Sequence, residues 1–209
     1  MSENRQPITL TLTNLIKFFG FLSPFLMIFF VLTMSLINGA LFKGLIYLVG
    51  VLILSVIIYV LKHILRDEQD ILHSPFCNIF PSPFTVKDNT QVYDNPAMSA
   101  SIITFTGIYI LFPLLLNNNF HPSFIVAMMI LLGLNGVTEF SDRCSSPSAI
   151  ILGTLVGCTF AIIYYLLLKI TSNEKLVFFS DVESNKMVCK KPNLNSQKYK
   201  CTIVSKLDY

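Results

Sequence analysis

The chain has 209 residues, of which 53% are hydrophobic and 13% are charged, and its mean hydropathy is +0.65. A soluble domain of this size needs a larger polar surface, so the composition excludes an ordinary soluble globule and indicates an integral membrane protein. The net charge of +3 is too small, and the chain too poor in Arg, to indicate nucleic-acid binding.

Five apolar runs are long enough, or nearly so, to cross a hydrocarbon core about 30 Å thick. After a polar N-terminus at residues 1–14, the predicted spans are residues 15–38, 41–65, 99–116, 123–138 and 148–169. Helices are expected because lipid offers no partner to open backbone groups. Residues 15–169 therefore predict a transmembrane helical bundle.

Residues 66–98, between the second and third spans, are too long for a simple connector. They combine four prolines with four aromatic residues: Pro75, Pro81, Pro83, Pro96, Phe76, Phe80, Phe84 and Tyr93. Loops of this length are usually functional or packed. We expect an extramembrane cap segment packed at the membrane surface, with a binding lid as the alternative.

Residues 170–209 form a basic tail with seven lysines and four acidic residues. Its short runs of β-branched and aromatic residues predict two or three strands. The predicted fold class is thus an all-α membrane protein, a bundle of about five transmembrane helices with a small β-rich C-terminal tail. A strand with a free edge can extend a partner's sheet. The predicted partner-contact residues are Lys190, Lys191, Lys198, Tyr199 and Lys200, and the alternative is a solvated hairpin without a partner.

Five spans place the two ends of the chain on opposite sides of the membrane. Six Lys and Arg residues lie on the side of the N-terminus and nine on the side of the tail, which favours a cytoplasmic tail. The basic residues close to the spans, Lys17, Lys62, Arg66 and Arg143, favour the opposite orientation. Cys77 pairs with Cys144 if their side is lumenal, and Cys189 and Cys201 are a possible disulfide if the tail side is oxidising. No His accompanies the tail pair at metal-ligand spacing, so we expect no metal and no cofactor.

Small and polar residues within the spans suggest helix contacts. Gly153 and Gly157 have the GxxxG spacing of close helix packing, either within the bundle or as a dimer seam. Asn135 and Glu139 share one helix face. We expect Glu139 at the membrane interface, beside Asp142 and Arg143, in a local ion pair. An ionisable group at membrane depth is also a functional candidate, which leaves a small channel or transporter open.

Two segments carry a resemblance to a known family. Residues 93–100, Tyr-Asp-Asn-Pro-Ala-Met-Ser-Ala, lead into the third span and resemble the PSGH motif of the phosphatidic acid phosphatase type 2 superfamily. Residues 144–157, which begin Cys-Ser-Ser-Pro-Ser-Ala, resemble the end of its SRxxxxxHxxxD motif and the small-residue helix that follows. One helical hairpin separates the two blocks, as it does in the family.

The chain departs from the family where the family has its catalytic groups. The resemblance implies a His nucleophile oriented by an Asp, a second His as acid, and basic groups on the phosphate. The family's first His falls on Ser99 and its Ser on Ala97, whereas the nucleophilic His, the Asp and the Arg fall on Ser145, Ala149 and Glu139. The chain has no Arg-Pro for the KxxxxxxRP motif, and its histidines are elsewhere, at positions 63, 73 and 121.

The resemblance therefore implies a pseudoenzyme with no catalytic residues. The hydrophobic, Asn- and Phe-rich chain with its Cys-containing tail also resembles membrane proteins of large icosahedral DNA viruses. We expect a structural virion component, a minor capsid or internal-membrane protein. It would link the bilayer to a coat or capsid protein through its tail and residues 66–98, alone or as a homo- or hetero-oligomer. The expected membrane is the virion's internal membrane or one derived from the host endoplasmic reticulum. The alternative is a lipid phosphate phosphatase-like enzyme with rearranged catalytic residues.

Overall fold

The computed structural model describes residues 11–67, 77, 87–88, 91–116, 122–171, 187–190 and 200–203. Five helices within these ranges are long and apolar enough to cross a membrane. They are α1 (Leu12–Ile37), α2 (Leu41–Leu65), α3 (Met98–Leu116), α4 (Pro122–Ser141) and α5 (Pro147–Ile170). The prediction of five helices long and apolar enough to span a membrane is confirmed, and no helix end differs from the predicted one by more than three residues.

The described residues also include four short strands outside the bundle. β1 (Lys87–Asp88) pairs antiparallel with β2 (Gln91–Val92) ahead of α3, and β3 (Met187–Lys190) pairs antiparallel with β4 (Lys200–Ile203) in the tail. Most of residues 172–209 lie outside the described part of the chain, so the β-rich tail stays a prediction.

Local side-chain bonds explain where two of the helices begin. The Thr11 hydroxyl accepts a hydrogen bond from the Asn14 backbone N–H (3.3 Å), which starts α1 three residues before the predicted position. The Ser146 hydroxyl accepts from the Ala149 N–H (3.2 Å), and Pro147 occupies the first turn of α5, where a missing N–H costs nothing.

A tight turn joins α1 to α2. Gly39 has a φ of +65°, which a residue without a Cβ adopts without strain. The Ser35 hydroxyl donates to the Ala40 carbonyl (2.6 Å) and accepts from the Gly44 N–H (3.0 Å), so one side chain bonds both sides of the turn. The two helices therefore run antiparallel, and a connection of three residues joins them.

The bundle has two distinct ends. The cap end comprises the start of α1, the end of α2, residues 93–97 and the turn between α4 and α5, because Lys17 pairs with Asp142 and Ala97 bonds Ala149. The tail end comprises the α1–α2 turn and the end of α5. The Tyr164 hydroxyl fixes this arrangement by donating to the Ile46 carbonyl (2.7 Å). The cap segment and the tail thus lie at opposite ends of the bundle.

α3 is the most buried helix and packs most closely against α5. Its aromatic residues form the core with those of α2 and α5, where Tyr47, Phe105 and Tyr109 have ring centroids 5.7–6.0 Å apart. The outer faces carry exposed apolar side chains such as Phe29 and Val137, 68% and 67% exposed. Lipid covers such faces in a membrane protein, so these exposed apolar side chains agree with a bundle that spans a membrane.

Candidate functional site

Polar side chains converge at the cap end of the bundle. We call Asp94, Ser99, Asn135, Glu139, Asp142 and Ser145 the polar cluster. Its four carboxyl and amide residues are 0–8% exposed, whereas the two serines are half-buried. Buried polar groups require hydrogen-bond partners, so the contacts of this cluster determine what it can do.

Asp94 binds the turn ahead of α5. Its Oδ1 accepts from the Ser145 hydroxyl (2.8 Å), and its Oδ2 accepts from the Ser146 backbone N–H (2.7 Å). Burial raises the pKa of the Asp94 carboxyl, and these two hydrogen bonds and the nearby charge of Lys62 oppose that effect. Asp94 thus connects the segment before α3 to the start of α5.

Glu139 connects α3 and α4. The Ser99 hydroxyl donates to Glu139 Oε1, which also accepts from Asn135 Nδ2 (3.4 Å). Glu139 does not form the expected local ion pair among the described residues. It accepts hydrogen bonds from Ser99 and Asn135, and the ion pair at this end of the bundle joins Asp142 to Lys17 of α1. The predicted helix ends at Thr138, whereas α4 continues to Ser141. Glu139 therefore lies within the helix, where its side chain is buried and contacts α3.

Asn135 joins α4 to α1 at a proline. Pro24 has no N–H, so it leaves the Gly20 carbonyl four residues earlier without its helical partner. That carbonyl accepts from Asn135 Nδ2 (3.1 Å) and from the Ser23 hydroxyl (2.7 Å). A Cβ on Gly20 would meet the Thr138 side chain, so the glycine permits the close approach of α4. Sequence reasoning singled out Asn135, but not the carbonyl that it satisfies.

A disulfide closes the cap end. Cys77 and Cys144 are bonded, with Cα atoms 5.3 Å apart, within the usual range. The bridge connects the segment between α2 and α3 to the α4–α5 turn, next to Asp142 and Ser145. The sequence left this pairing conditional on the compartment, and the structure contains it.

The polar cluster is rich in acceptors. Four oxygens at or beside it, Asn95 Oδ1, Asn135 Oδ1, Glu139 Oε2 and Asp142 Oδ2, are buried and have no hydrogen-bond partner within the described residues. Its three carboxylates face the ammonium groups of Lys17 and Lys62, which leaves one excess negative charge when all five groups are ionised. Such an environment suits a proton or another positively charged group and repels an anion such as phosphate.

The positions that match the phosphatase motifs come together in this cluster. Ser99 donates a hydrogen bond to Glu139, and Ser145 donates one to Asp94, which belongs to the motif-like segment at residues 93–100. Ala97 and Ala149 also meet, through a backbone hydrogen bond of 3.0 Å. His63 is exposed near the end of α2, whereas His73 and His121 lie outside the described residues.

The structure places the other predicted site residues as follows. Gly153 and Gly157 pack against α3, where an added Cβ would meet the carbonyl oxygens of Ala97 and Ser101. The tail strands place Lys190 opposite Lys200 and Cys189 opposite Cys201 in the backbone register. Lys191, Lys198 and Tyr199 lie outside the described part of the chain, and the disulfide of the tail pair stays a prediction.

Sequence reasoning did not identify Lys17, Lys62 and Asp94 as members of one site. Each lies near an end of an apolar run, where a charged residue is ordinary, and their partners are far away in the sequence. The available signal was that all eight acidic residues of positions 1–169 fall on the side of the cap. No group of three or more His, Cys, Asp and Glu suited to a metal occurs among the described residues.

Comparison of the chain with protein-family models, with curated proteins and with solved structures gave no match.

Proposed function

We propose that this chain is a non-enzymatic integral membrane protein and a structural component of a virion, which ties a lipid bilayer to a protein shell. The helical bundle is the membrane anchor. The polar cluster and the Cys77–Cys144 bridge brace its cap end, and the basic tail is a contact segment. The virion setting rests on the resemblance described above.

One observation carries the non-enzymatic part of the proposal: the positions matching the phosphatase motifs hold an acceptor-rich, negatively charged cluster. Phosphoryl transfer needs donors and positive charge around the phosphate. Here Glu139 stands where the family has an Arg, and its Oε2 has no hydrogen-bond partner among the described residues. A phosphate would bring negative charge against carboxyl groups and acceptor oxygens instead of against donors.

The same contacts support a bracing role. The hydrogen bonds of Asp94, Glu139 and Asn135 together connect α1, α3, α4 and the turn before α5. Each bond joins elements that are distant in the chain, and a buried hydrogen bond is expensive to leave unmade. Hydrogen bonds that join four elements in this way hold the helices in register.

The experiment that tests the proposal is cross-linking mass spectrometry on the native membrane or particle, with an amine-reactive reagent. Abundant links from the tail lysines to one shell protein are expected. Deletion of residues 171–209 should leave membrane insertion unchanged and remove those links. Unchanged association of the deletion variant with the shell would contradict the proposal.

The alternative enzyme is tested on the full-length protein in detergent with phosphatidic acid as substrate. We expect no phosphate release above that of a Glu139→Gln variant and of empty membranes. Release that depends on Ser145 or His63, and that is lost in Ser145→Ala or His63→Ala, would replace the structural proposal with a lipid phosphatase.

A further inference from the structure

The cap segment and the tail lie on opposite sides of any membrane that the bundle spans. α2 ends and α3 begins at the cap end, whereas α5 ends at the tail end, because Tyr164 near the end of α5 bonds Ile46 near the start of α2. A single protein shell on one side of the bilayer therefore reaches only one of the two segments predicted to contact it.

The disulfide indicates which compartment the cap end faces. Cys77, between α2 and α3, is bonded to Cys144 in the turn between α4 and α5, so both cysteines lie outside the five apolar helices. Disulfides persist in oxidising compartments such as the lumen of the endoplasmic reticulum and are rare in the cytosol. The bridge therefore favours an oxidising compartment on the cap side.

The overall count of basic residues agrees with this assignment. The tail side carries nine of the 15 Lys and Arg residues, as cytoplasmic segments do. Four basic residues close to the spans on the cap side, Lys17, Lys62, Arg66 and Arg143, favour the opposite orientation. The disulfide decides between the two, because it depends on the compartment and not on the count.

We infer that the protein is inserted with its cap end in an oxidising compartment and its tail in a reducing one, so that the tail, and not residues 66–98, contacts the partner. The contact with a partner rests on the proposed function, whereas the orientation stands without it. The tail cysteines Cys189 and Cys201, although opposite in register, then remain thiols.

The charge of the tail indicates an acidic partner surface. Residues 170–209 carry seven lysines and four acidic residues, an excess of three positive charges. An acidic surface is complementary to such a segment. The occupant is therefore an acidic patch of a protein in the reducing compartment.

The orientation is tested with the full-length protein in sealed microsomes, using a membrane-impermeant maleimide of high mass. Without reductant, intact vesicles should show two modified cysteines, Cys189 and Cys201, and the Cys189→Ser/Cys201→Ser variant should show none. Permeabilisation should add the half-buried Cys77 only after reduction. In the Cys144→Ser variant, Cys77 should be modified after permeabilisation without reductant, with Cys158→Ser as the matched control.

Modification of Cys77 or Cys144 in intact vesicles without reductant would overturn the orientation, as would protection of the tail cysteines. A C-terminal tag provides a second measurement that needs no cysteine substitution. Added protease should remove the tag from intact vesicles, and its survival there, with loss only after permeabilisation, would also overturn the inference.

The partner contact is tested separately by replacing Lys190 and Lys200 with Glu in the native assembly, with the Lys→Arg pair as control. The Glu pair should reduce co-purification of the partner at least tenfold, and the Arg pair should retain it. If the tail faces the reducing side but both variants bind alike, the acidic partner is wrong and the orientation stands. Binding of the tail to phosphatidylserine vesicles alone, equal to its binding in the assembly, would assign the charges to lipid and overturn the protein contact.

Discussion

The packing of α5 on α3 offers the sharpest test of the fold, through the substitution Gly157→Ala. A Cβ at this position would meet the carbonyl oxygen of Ser101, with the Ser101 carbonyl carbon and Cα both at 3.0 Å. These are backbone atoms of the central helix, so no side-chain rotation relieves the contact, and the two helices must separate.

The magnitude follows from three effects. Overpacking of a tight interface costs about 1–3 kcal/mol. Separation also weakens two neighbouring inter-helix hydrogen bonds, Ala97 N–H to Ala149 O (3.0 Å) and the Ser101 hydroxyl to Gly153 O (2.9 Å), each contributing about 1 kcal/mol. The higher helix propensity of Ala returns up to about 1 kcal/mol. The expected net loss is about 2 kcal/mol, or about a 30-fold change in the unfolding equilibrium.

The measurement is reversible unfolding in mixed micelles by SDS titration, followed by circular dichroism because the chain has no Trp. Gly133→Ala is the matched control, since a Cβ at Gly133 has no atom within 4 Å. The control should equal the wild type or exceed it slightly. A Gly157→Ala variant that unfolds within about 0.5 kcal/mol of Gly133→Ala would refute the close α3–α5 contact.

Three further predictions concern the cap end. Asn135→Ala should destabilise the same unfolding equilibrium by about 1–3 kcal/mol, because the Gly20 carbonyl loses its inter-helix donor, and a loss below about 0.5 kcal/mol would exclude that bond. Because burial raises the pKa of Asp94 in the folded protein, its contribution to stability falls as pH rises from below the ordinary Asp pKa through the folded value. Asp94→Asn should flatten that part of a stability profile measured from pH 4 to 7, and an unchanged slope would contradict the assignment. Cys77→Ser should lose up to about 4 kcal/mol, since the bridge closes a loop of 67 residues, and should lose the mobility difference between reduced and non-reduced gels, which a persistent difference would disprove.

The helical bundle followed from the sequence because its determinants are local. Each apolar run has the length of a membrane crossing, and caps such as Thr11 and Ser146 lie within three residues of the N–H groups that they bind. The end of α4 depends on a distant contact, and the prediction of residue 138 is three residues too early. The sequence alone favours a helix end before the charged Glu139, but its partner Ser99, 40 positions away, keeps Glu139 inside the bundle.

The sequence by itself determined that this chain forms five helices long and apolar enough to cross a membrane, because lipid imposes length and hydrophobicity on each span separately. Only the tertiary structure decided which polar groups meet. Lys17 and Asp142 are 125 positions apart, Asn135 and Gly20 are 115 apart, and Cys77 and Cys144 are 67 apart. No local pattern encodes such pairs. They arise when packing of the helices brings their ends together. The excess of acceptors in the polar cluster appears only once the donor of each hydrogen bond is known.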